Sequence, residues 1–175
     1  MILDHFVNNS FAHPHPERKL KVVVVQASDG ICVVDNGSGV SLERLHAIES
    51  RVRAGETVQT DHESGTGSGL RDSILLLKDL LVKDGVTARD ARGRQAMITI
   101  ASKEGAGTIA SITWFHHADE SKVEIGPDGW NYIQFSIDTE EENTVKHADS
   151  GSLPRPVSDM IATHDSLLAG TKASA

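Results

Sequence analysis

The sequence has only one cysteine, Cys32, and no apolar run that approaches the roughly 20 residues of a membrane-spanning helix. A single cysteine cannot form an internal disulfide, which favours a reducing compartment, and its apolar neighbours predict a position in the core. The N-terminus also lacks the charged-then-apolar order of a signal peptide. Together these absences predict a cytoplasmic protein without direct membrane contact.

Positive charge is also scarce. Lys and Arg number 17 against 25 Asp and Glu, which gives a formal net charge of −8. Nucleic acid is therefore excluded as a general partner, because its phosphate backbone needs a basic surface. A nucleotide in a glycine-lined pocket remains compatible, since backbone dipoles and a metal ion can balance its charge. The length of 175 residues suits a single domain.

Apolar periodicity and turn residues divide the first 137 residues into helices and strands. An Asp-Gly pair between two valine-rich runs predicts a β-hairpin, and leucines at spacings of three and four predict helices. Pro14 and Pro16 end the first helix. The predicted helices are 1–13, 41–53 and 69–84, and the predicted strands are 20–27, 31–35, 96–102, 107–115 and 131–137.

The composition changes at about residue 138, where acidic, Ser, Thr, Ala and Pro residues become frequent. We therefore predict one domain over residues 1–137 and a largely disordered tail over 138–175. A weak helix near 157–169 is the alternative for part of this tail.

The stretch Asp35-Asn36-Gly37-Ser38-Gly39-Val40 follows the apolar run Ile31–Val34. A carboxylate is thus delivered at the end of a buried strand, where the backbone must turn, and this makes Asp35 a recognition candidate. An ordinary strand-end turn is the alternative interpretation of these residues.

A second glycine-rich run, Gly65-Thr66-Gly67-Ser68-Gly69-Leu70, leads directly into the leucine-rich helix 69–84. Free backbone N–H groups at a helix N-terminus can bind phosphate. The polar residues 55–69 before the helix are typical of a loop that closes over a ligand, although a plain surface loop has the same composition. The two glycine runs together predict a site that binds a base with one segment and its phosphates with the other.

These motifs, in this order, resemble the ATP-binding domain shared by gyrase, the heat-shock chaperone, histidine kinases and MutL. The resemblance is greatest to sensor histidine kinases. Gly65–Leu70 is similar to their second glycine box, and Ser102–Thr108 resembles their closing Ser-x-x-Gly-x-Gly-Thr. Val7-Asn8-Asn9-Ser10-Phe11-Ala12-His13 resembles the Val-x-Asn-Ala-x-x-His helix of one kinase subgroup. The match covers roughly residues 1–115.

The resemblance implies an α+β, two-layer sandwich of the Bergerat type, with a mixed, mostly antiparallel sheet and helices on one face. In such a site Asp35 would accept a hydrogen bond from the adenine amino group, and Thr108 would place its hydroxyl near the base. Gly37 and Gly39 would let the backbone approach the base. The remaining residues implied to bind the nucleotide are Asn9, His13, Val40, Gly65, Thr66, Gly67, Ser68, Gly69 and Leu70.

The resemblance also implies a magnesium ion, to which Asn9 would supply an amide oxygen. A shift of one residue would make Asn8 the ligand instead. The ATPase branches of the superfamily place a glutamate four residues before the metal asparagine to activate water. Here that position is His5 for Asn9 or Asp4 for Asn8. His5 and Asp4 are therefore weak catalytic candidates. Whether Asn9 or Asn8 binds the metal decides between them.

The implied function is an ATP-dependent phosphotransferase that presents the γ-phosphate of Mg-ATP to an acceptor histidine. Because the kinases carry that histidine in a separate helical dimerisation domain, the acceptor is expected on another domain or chain. Two alternatives stay open. One is a non-catalytic or degenerate module that binds a nucleotide or a partner, and the other is an ATPase that acts as a conformational switch.

Overall fold

The computed structural model describes residues 2–55, 69–83, 94–115, 129–137, 145–146 and 153–170. Within these residues the chain forms four helices and six strands. The helices are α1 (Ile2–Ala12), α2 (Leu42–Arg53), α3 (Gly69–Lys83) and α4 (Arg155–Gly170). The strands are β1 (Val22–Ala27), β2 (Gly30–Asp35), β3 (Gln95–Lys103), β4 (Gly107–Phe115), β5 (Asn131–Ile137) and β6 (Val145–Lys146).

The strands form one sheet in the order β1-β2-β4-β3-β5-β6. Each strand pairing in the described part of the chain is antiparallel, so the expected mixture with parallel strands is not found there. The hairpin β1–β2 turns through Ser28 and Asp29, with Ala27 opposite Gly30. Tight turns explain the β1–β2 and β3–β4 pairs, whose strands follow each other closely in the chain. The β2–β4 and β3–β5 pairs instead join strands that are not consecutive.

One face of the sheet is covered by α1, α2 and α3. Val33, Ile98 and Phe135 point from the strands into this core and meet Phe6 and Leu45 from the helices. All five side chains are buried. Helix α2 is capped by Ser41, whose hydroxyl accepts a hydrogen bond from Arg44 N at 3.3 Å. The predicted α+β sandwich is confirmed at this level.

The other face of the sheet carries α4, and here two predictions were wrong. Residues 155–170 are helical rather than disordered, so the alternative of a helix near 157–169 is confirmed. Because α4 covers the second face, the helices are not confined to one face and the two-layer arrangement is wrong. Val157 and Leu168 pack against Cys32, Val34 and other strand residues that alternate with those of the first core. The acidic and Ser-rich average of residues 138–175 concealed an apolar repeat that buries one side of a helix.

The remaining element predictions are confirmed within one or two residues. Helices α1, α2 and α3, the β1–β2 hairpin, β3, β4 and β5 lie where periodicity placed them. In the described residues, no helix has the length and apolar character needed to cross a membrane.

Candidate functional site

Asp35 stands at the last position of β2, and its side chain is nearly enclosed, with 5 % of the residue exposed. Its carboxylate accepts three hydrogen bonds from separate segments. Gly37 N donates to Oδ1 at 2.8 Å, Thr108 N donates to the same oxygen at 3.1 Å, and Ser10 Oγ donates to Oδ2 at 2.7 Å. A buried carboxylate is tolerated when donors of this kind surround it.

The turn after β2 is fixed by the neighbouring side chain of Asn36. Its Oδ1 accepts from Lys21 N at 2.6 Å, and its Nδ2 donates to Lys19 O at 3.1 Å. The amide thus continues the β1–β2 pairing beyond the last strand residue. This contact holds the backbone in place as it turns into the first glycine segment, defined here as residues 35–40.

The closing segment, residues 102–108, lies directly against the first glycine segment. Gly39 has a φ of +67°, and a Cβ built there would overlap the Lys103 carbonyl oxygen. Gly107 has a φ of +143°, and a Cβ there would overlap the Asp35 carbonyl oxygen. Both positions require glycine for conformation and for space. Gly105 N also donates to Ser38 O at 2.7 Å.

Ser102 ties the two segments together through one buried hydroxyl. It accepts a hydrogen bond from Val40 N at 2.8 Å and donates to Gly107 O at 3.0 Å. The hydroxyls of Ser102 and Thr108 lie 3.1 Å apart. Because Ser102 has only one hydroxyl hydrogen, Thr108 is the donor in that contact. Thr108 therefore reaches Asp35 through its N–H and Ser102 through its side chain.

The C-terminal end of α1 also contacts the first glycine segment. Ser38 N donates to His13 O at 3.0 Å, and Ser38 Oγ donates to Pro14 O at 2.9 Å. A Cβ at Gly37 would lie 2.5 Å from His13 O. The contribution of His13 to this contact is its carbonyl group, whereas its side chain is exposed.

The predicted metal residues lie on α1 beside the start of α3. Residues four apart share a helix face, so His5 and Asn9 form one stripe of α1, next to the buried stripe of Ile2, Phe6 and Ser10. His13 follows the end of the helix at Ala12. A Cβ built at Gly69, the first residue of α3, would lie 3.4 Å from His5 Nδ1. The Asn9 stripe is therefore the one that borders α3.

Asn8 and Asp4 lie on a different stripe. At about 100° per residue, Asn8 is about 160° from the buried Ser10, so it points away from the strand that carries Asp35. Both Asn8 and Asp4 are exposed, whereas His5 is half-buried. The positions on the helix thus favour Asn9 over Asn8 as the predicted metal ligand, with His5 four residues before it.

Part of the predicted phosphate site cannot be placed. Gly65, Thr66, Gly67 and Ser68 lie outside the described residues. Gly69 begins α3 as expected, and Leu70 is half-buried and packs against the core of the first face. Ser73, one turn into the helix, donates to Gly69 O at 2.6 Å.

The donor set fits magnesium bound through a single protein oxygen. Among the described residues, no group of three or more His, Cys, Asp or Glu side chains could hold a metal ion. Magnesium bound with a nucleotide does not need such a group, because water and phosphate oxygens complete its octahedral shell. The exposed amide of Asn9, on the stripe facing the start of α3, is compatible with that arrangement.

Three contacts in and around the Asp35 segment were missed at the level of sequence. Ser10 occupies the alanine position of the Val-x-Asn-Ala-x-x-His pattern, and that departure was the signal. Ser102 is the first residue of the closing motif but was given no role. His164 on α4 lies 2.9 Å, through Nε2, from the Asp35 carbonyl oxygen, and no pattern in the sequence indicates that contact.

Comparison with protein-family models and with curated proteins gives no match to this chain.

Proposed function

We propose that this chain binds Mg-ATP and serves as the nucleotide-binding domain of a histidine-kinase-like phosphotransferase of the Bergerat fold, with the phospho-acceptor on another domain or chain. The observation that carries the proposal is the convergence on Asp35. Helix α1, the first glycine segment and the closing segment each donate a hydrogen bond to its carboxylate. They are the segments that the resemblance assigns to one nucleotide pocket.

At the adenine end, the carboxylate has one acceptor position left. An ionised carboxylate offers about four lone-pair sites, of which two on Oδ1 and one on Oδ2 are in use. The 6-amino group of adenine is a donor that would suit the remaining site on Oδ2. Guanine presents a carbonyl oxygen at the same ring position, which would repel the carboxylate. The pocket would therefore select adenine.

At the phosphate end, Asn9 would hold magnesium against the phosphates, and the N-terminus of α3 would add its positive dipole end. The role of these groups would be to position and neutralise the triphosphate, because phosphoryl transfer depends largely on alignment and charge. The acceptor would supply the attacking atom. The position four residues before Asn9 is an imidazole, His5, rather than a carboxylate, which favours transfer to an acceptor over water activation.

The proposal is tested by isothermal titration with a non-hydrolysable ATP analogue, with and without magnesium. We expect saturable binding that Asp35→Asn weakens by at least about tenfold, because a carboxylate acceptor is replaced by an amide. Asp159→Asn, at an exposed position on α4, serves as the matched control and should bind like the wild type. Absence of saturable binding, or equal binding by the Asp35 variant, would overturn the proposal.

A second candidate is a non-catalytic module, and one observation favours it. The Asp35 carboxylate is almost enclosed, and internal donors already use three of its about four acceptor positions. A structural carboxylate would have the same contacts. Phosphate transfer to a separately supplied dimerisation domain, abolished by Asn9→Ala, would exclude this candidate. Nucleotide binding without any transfer or turnover would support it.

A further inference from the structure

His164 approaches the Asp35 backbone from the face of the sheet opposite α1. Its residue is 4 % exposed, and its Nε2 lies 2.9 Å from the Asp35 carbonyl oxygen. A carbonyl oxygen can only accept, so Nε2 carries the hydrogen. The edge of the imidazole packs against Trp130, with ring centroids 4.9 Å apart at an interplanar angle of 68°. The imidazole is therefore fixed in its orientation.

The Asp35 carbonyl needs a donor from outside the sheet, because the β4 N–H that lies opposite it donates to the Asp35 carboxylate instead. With Ala27 opposite Gly30, alternate residues of β2 point their main-chain groups to β1 and to β4. Asp35 belongs to the set that faces β4, one position beyond the Val34–Ile109 pair, and so stands opposite Thr108. The Thr108 N–H donates to the Asp35 carboxylate at 3.1 Å. Strand β4 thus supports the carboxylate, and the His164 ring supplies a donor for the carbonyl.

We propose that His164 is a positioning residue of the adenine pocket, which holds the Asp35 backbone so that the carboxylate keeps its three donors. This inference depends on the proposed function for its meaning in nucleotide binding. It makes α4 part of the site, although this helix lies outside the segments that the resemblance covers.

The placement of α4 is itself fixed at both ends of the helix. Val157 near its start and Leu168 near its end are buried against the sheet. Lys21 Nζ donates to Leu168 O at 2.5 Å, so the residue before β1 binds a carbonyl at the C-terminal end of α4. A positive charge at that end also interacts favourably with the helix dipole. His164 is therefore presented to Asp35 by an anchored helix.

The matched test compares His164→Gln with His164→Met. The two side chains have nearly the same length and shape, but only glutamine has an Nε2 that can donate to the carbonyl. For ADP binding we expect His164→Met to weaken affinity at least about fivefold relative to His164→Gln, the worth of one hydrogen bond. The magnesium dependence of ATP-analogue binding should be the same in both, because the metal end is not involved.

A second readout needs no nucleotide. Amide hydrogen exchange of Gly37 and Thr108, the two N–H donors to the carboxylate, should be faster in His164→Met than in His164→Gln. Exchange of Ile112, in the middle of β4, serves as the internal reference, since global loss of stability would change all three amides together.

The two readouts separate the possible failures. Suppose that the wild type binds no nucleotide but that exchange in the Met variant is still faster at Gly37 and Thr108 and unchanged at Ile112. The proposed function is then wrong, and the positioning of Asp35 by His164 stands. If the Gln and Met variants have equal ADP affinity and equal exchange at Gly37 and Thr108, His164 only fills space and the inference is overturned.

Discussion

The proposed site has two ends, an adenine end around Asp35 and a phosphate end around Asn9, and they are built differently. At the adenine end, Asp35 is buried, accepts three hydrogen bonds, and lies against glycines that leave no room for a Cβ. At the phosphate end, Asn9 is exposed on α1, and a Cβ at Gly69 would meet only a side-chain atom of His5 at 3.4 Å. The first end is fixed by the fold itself, whereas the second end presents groups that the fold does not use.

Because of this difference, we expect the residues at one end to contribute mainly to folding stability and those at the other end mainly to ligand binding. Groups that hold the pocket closed are expected to contribute to folding with or without a nucleotide, because their partners are within the protein. Groups at the phosphate end should matter only when magnesium and phosphate are present. Substitutions can therefore test whether the two ends belong to one site, and how strictly their roles are divided.

The largest effect is expected for Gly107→Ala. A methyl group there would overlap the Asp35 carbonyl oxygen, and the φ of +143° is strained for alanine, so we expect a loss of at least about 3 kcal/mol in unfolding free energy. Gly105→Ala is the control, since its φ is +75° but no atom lies within 4 Å. It should cost only about 1–2 kcal/mol. Equal losses in urea unfolding would show that the close approach is not what requires glycine.

A smaller loss of stability is expected for Ser10→Ala, which changes the same end of the site. The variant removes the 2.7 Å hydrogen bond to Asp35 Oδ2, and bonds to charged groups contribute about 1.5–3 kcal/mol. We expect a loss in this range in the free energy of unfolding. Ser166→Ala, which removes a helix serine that donates to Thr163 O, controls for helix propensity. A Ser10 variant as stable as this control would mean that the carboxylate is held by Gly37 and Thr108 alone.

Much of this arrangement could be predicted from local sequence. The Asp-Gly hairpin, the leucine spacing of α3 and the strand that ends at Asp35 each depend on residues close in the chain. The contact between the first glycine segment and the closing segment followed from the resemblance, since Val40 and Ser102 are 62 positions apart in the chain. Local periodicity carries no information on such pairings.

The rest could not be predicted for a physical reason. The apolar repeat of α4 allowed only a weak helix prediction, because the helix depends for stability on Val157 and Leu168 being covered by the sheet. The contact between His164 and Asp35 joins residues 129 positions apart through a main-chain carbonyl, which every residue has. That contact leaves no pattern in a single sequence.

Cys32 lies on the same strand as Asp35 but in the core of the opposite face, and its burial predicts an alkaline effect of moderate size. Burial raises the pKa of the Cys32 thiol from 9.0 to about 12. The unfolded chain therefore loses the thiol proton first as pH rises above 9, and stability falls between pH 9 and 12. At pH 10 the expected loss is about 1.4 kcal/mol. The test is to measure the free energy of unfolding of the wild type and of Cys32→Ala from pH 8 to 10.5. The wild type should lose stability more steeply with pH than the variant.

Parallel slopes for the two proteins would contradict this prediction. A separate check is the reaction of the native protein with a thiol reagent. The thiol is fully buried and protonated at pH 8, so labelling should require unfolding and should be slower than for a free thiol by about the folding equilibrium constant.

The smallest effect on stability is expected for Asn9→Ala. This variant also tests most directly whether the phosphate end contributes to binding but not to folding. Because Asn9 is exposed, the unfolding free energy should change by no more than about 0.5 kcal/mol. Magnesium should nevertheless no longer strengthen binding of the ATP analogue, since the amide oxygen proposed as its ligand is gone. Asn8→Ala, one residue away on the stripe that faces away from Asp35, should leave the magnesium effect intact. Loss of the magnesium effect in Asn8→Ala instead would assign the metal to the Asp4–Asn8 stripe and restore a carboxylate base for hydrolysis.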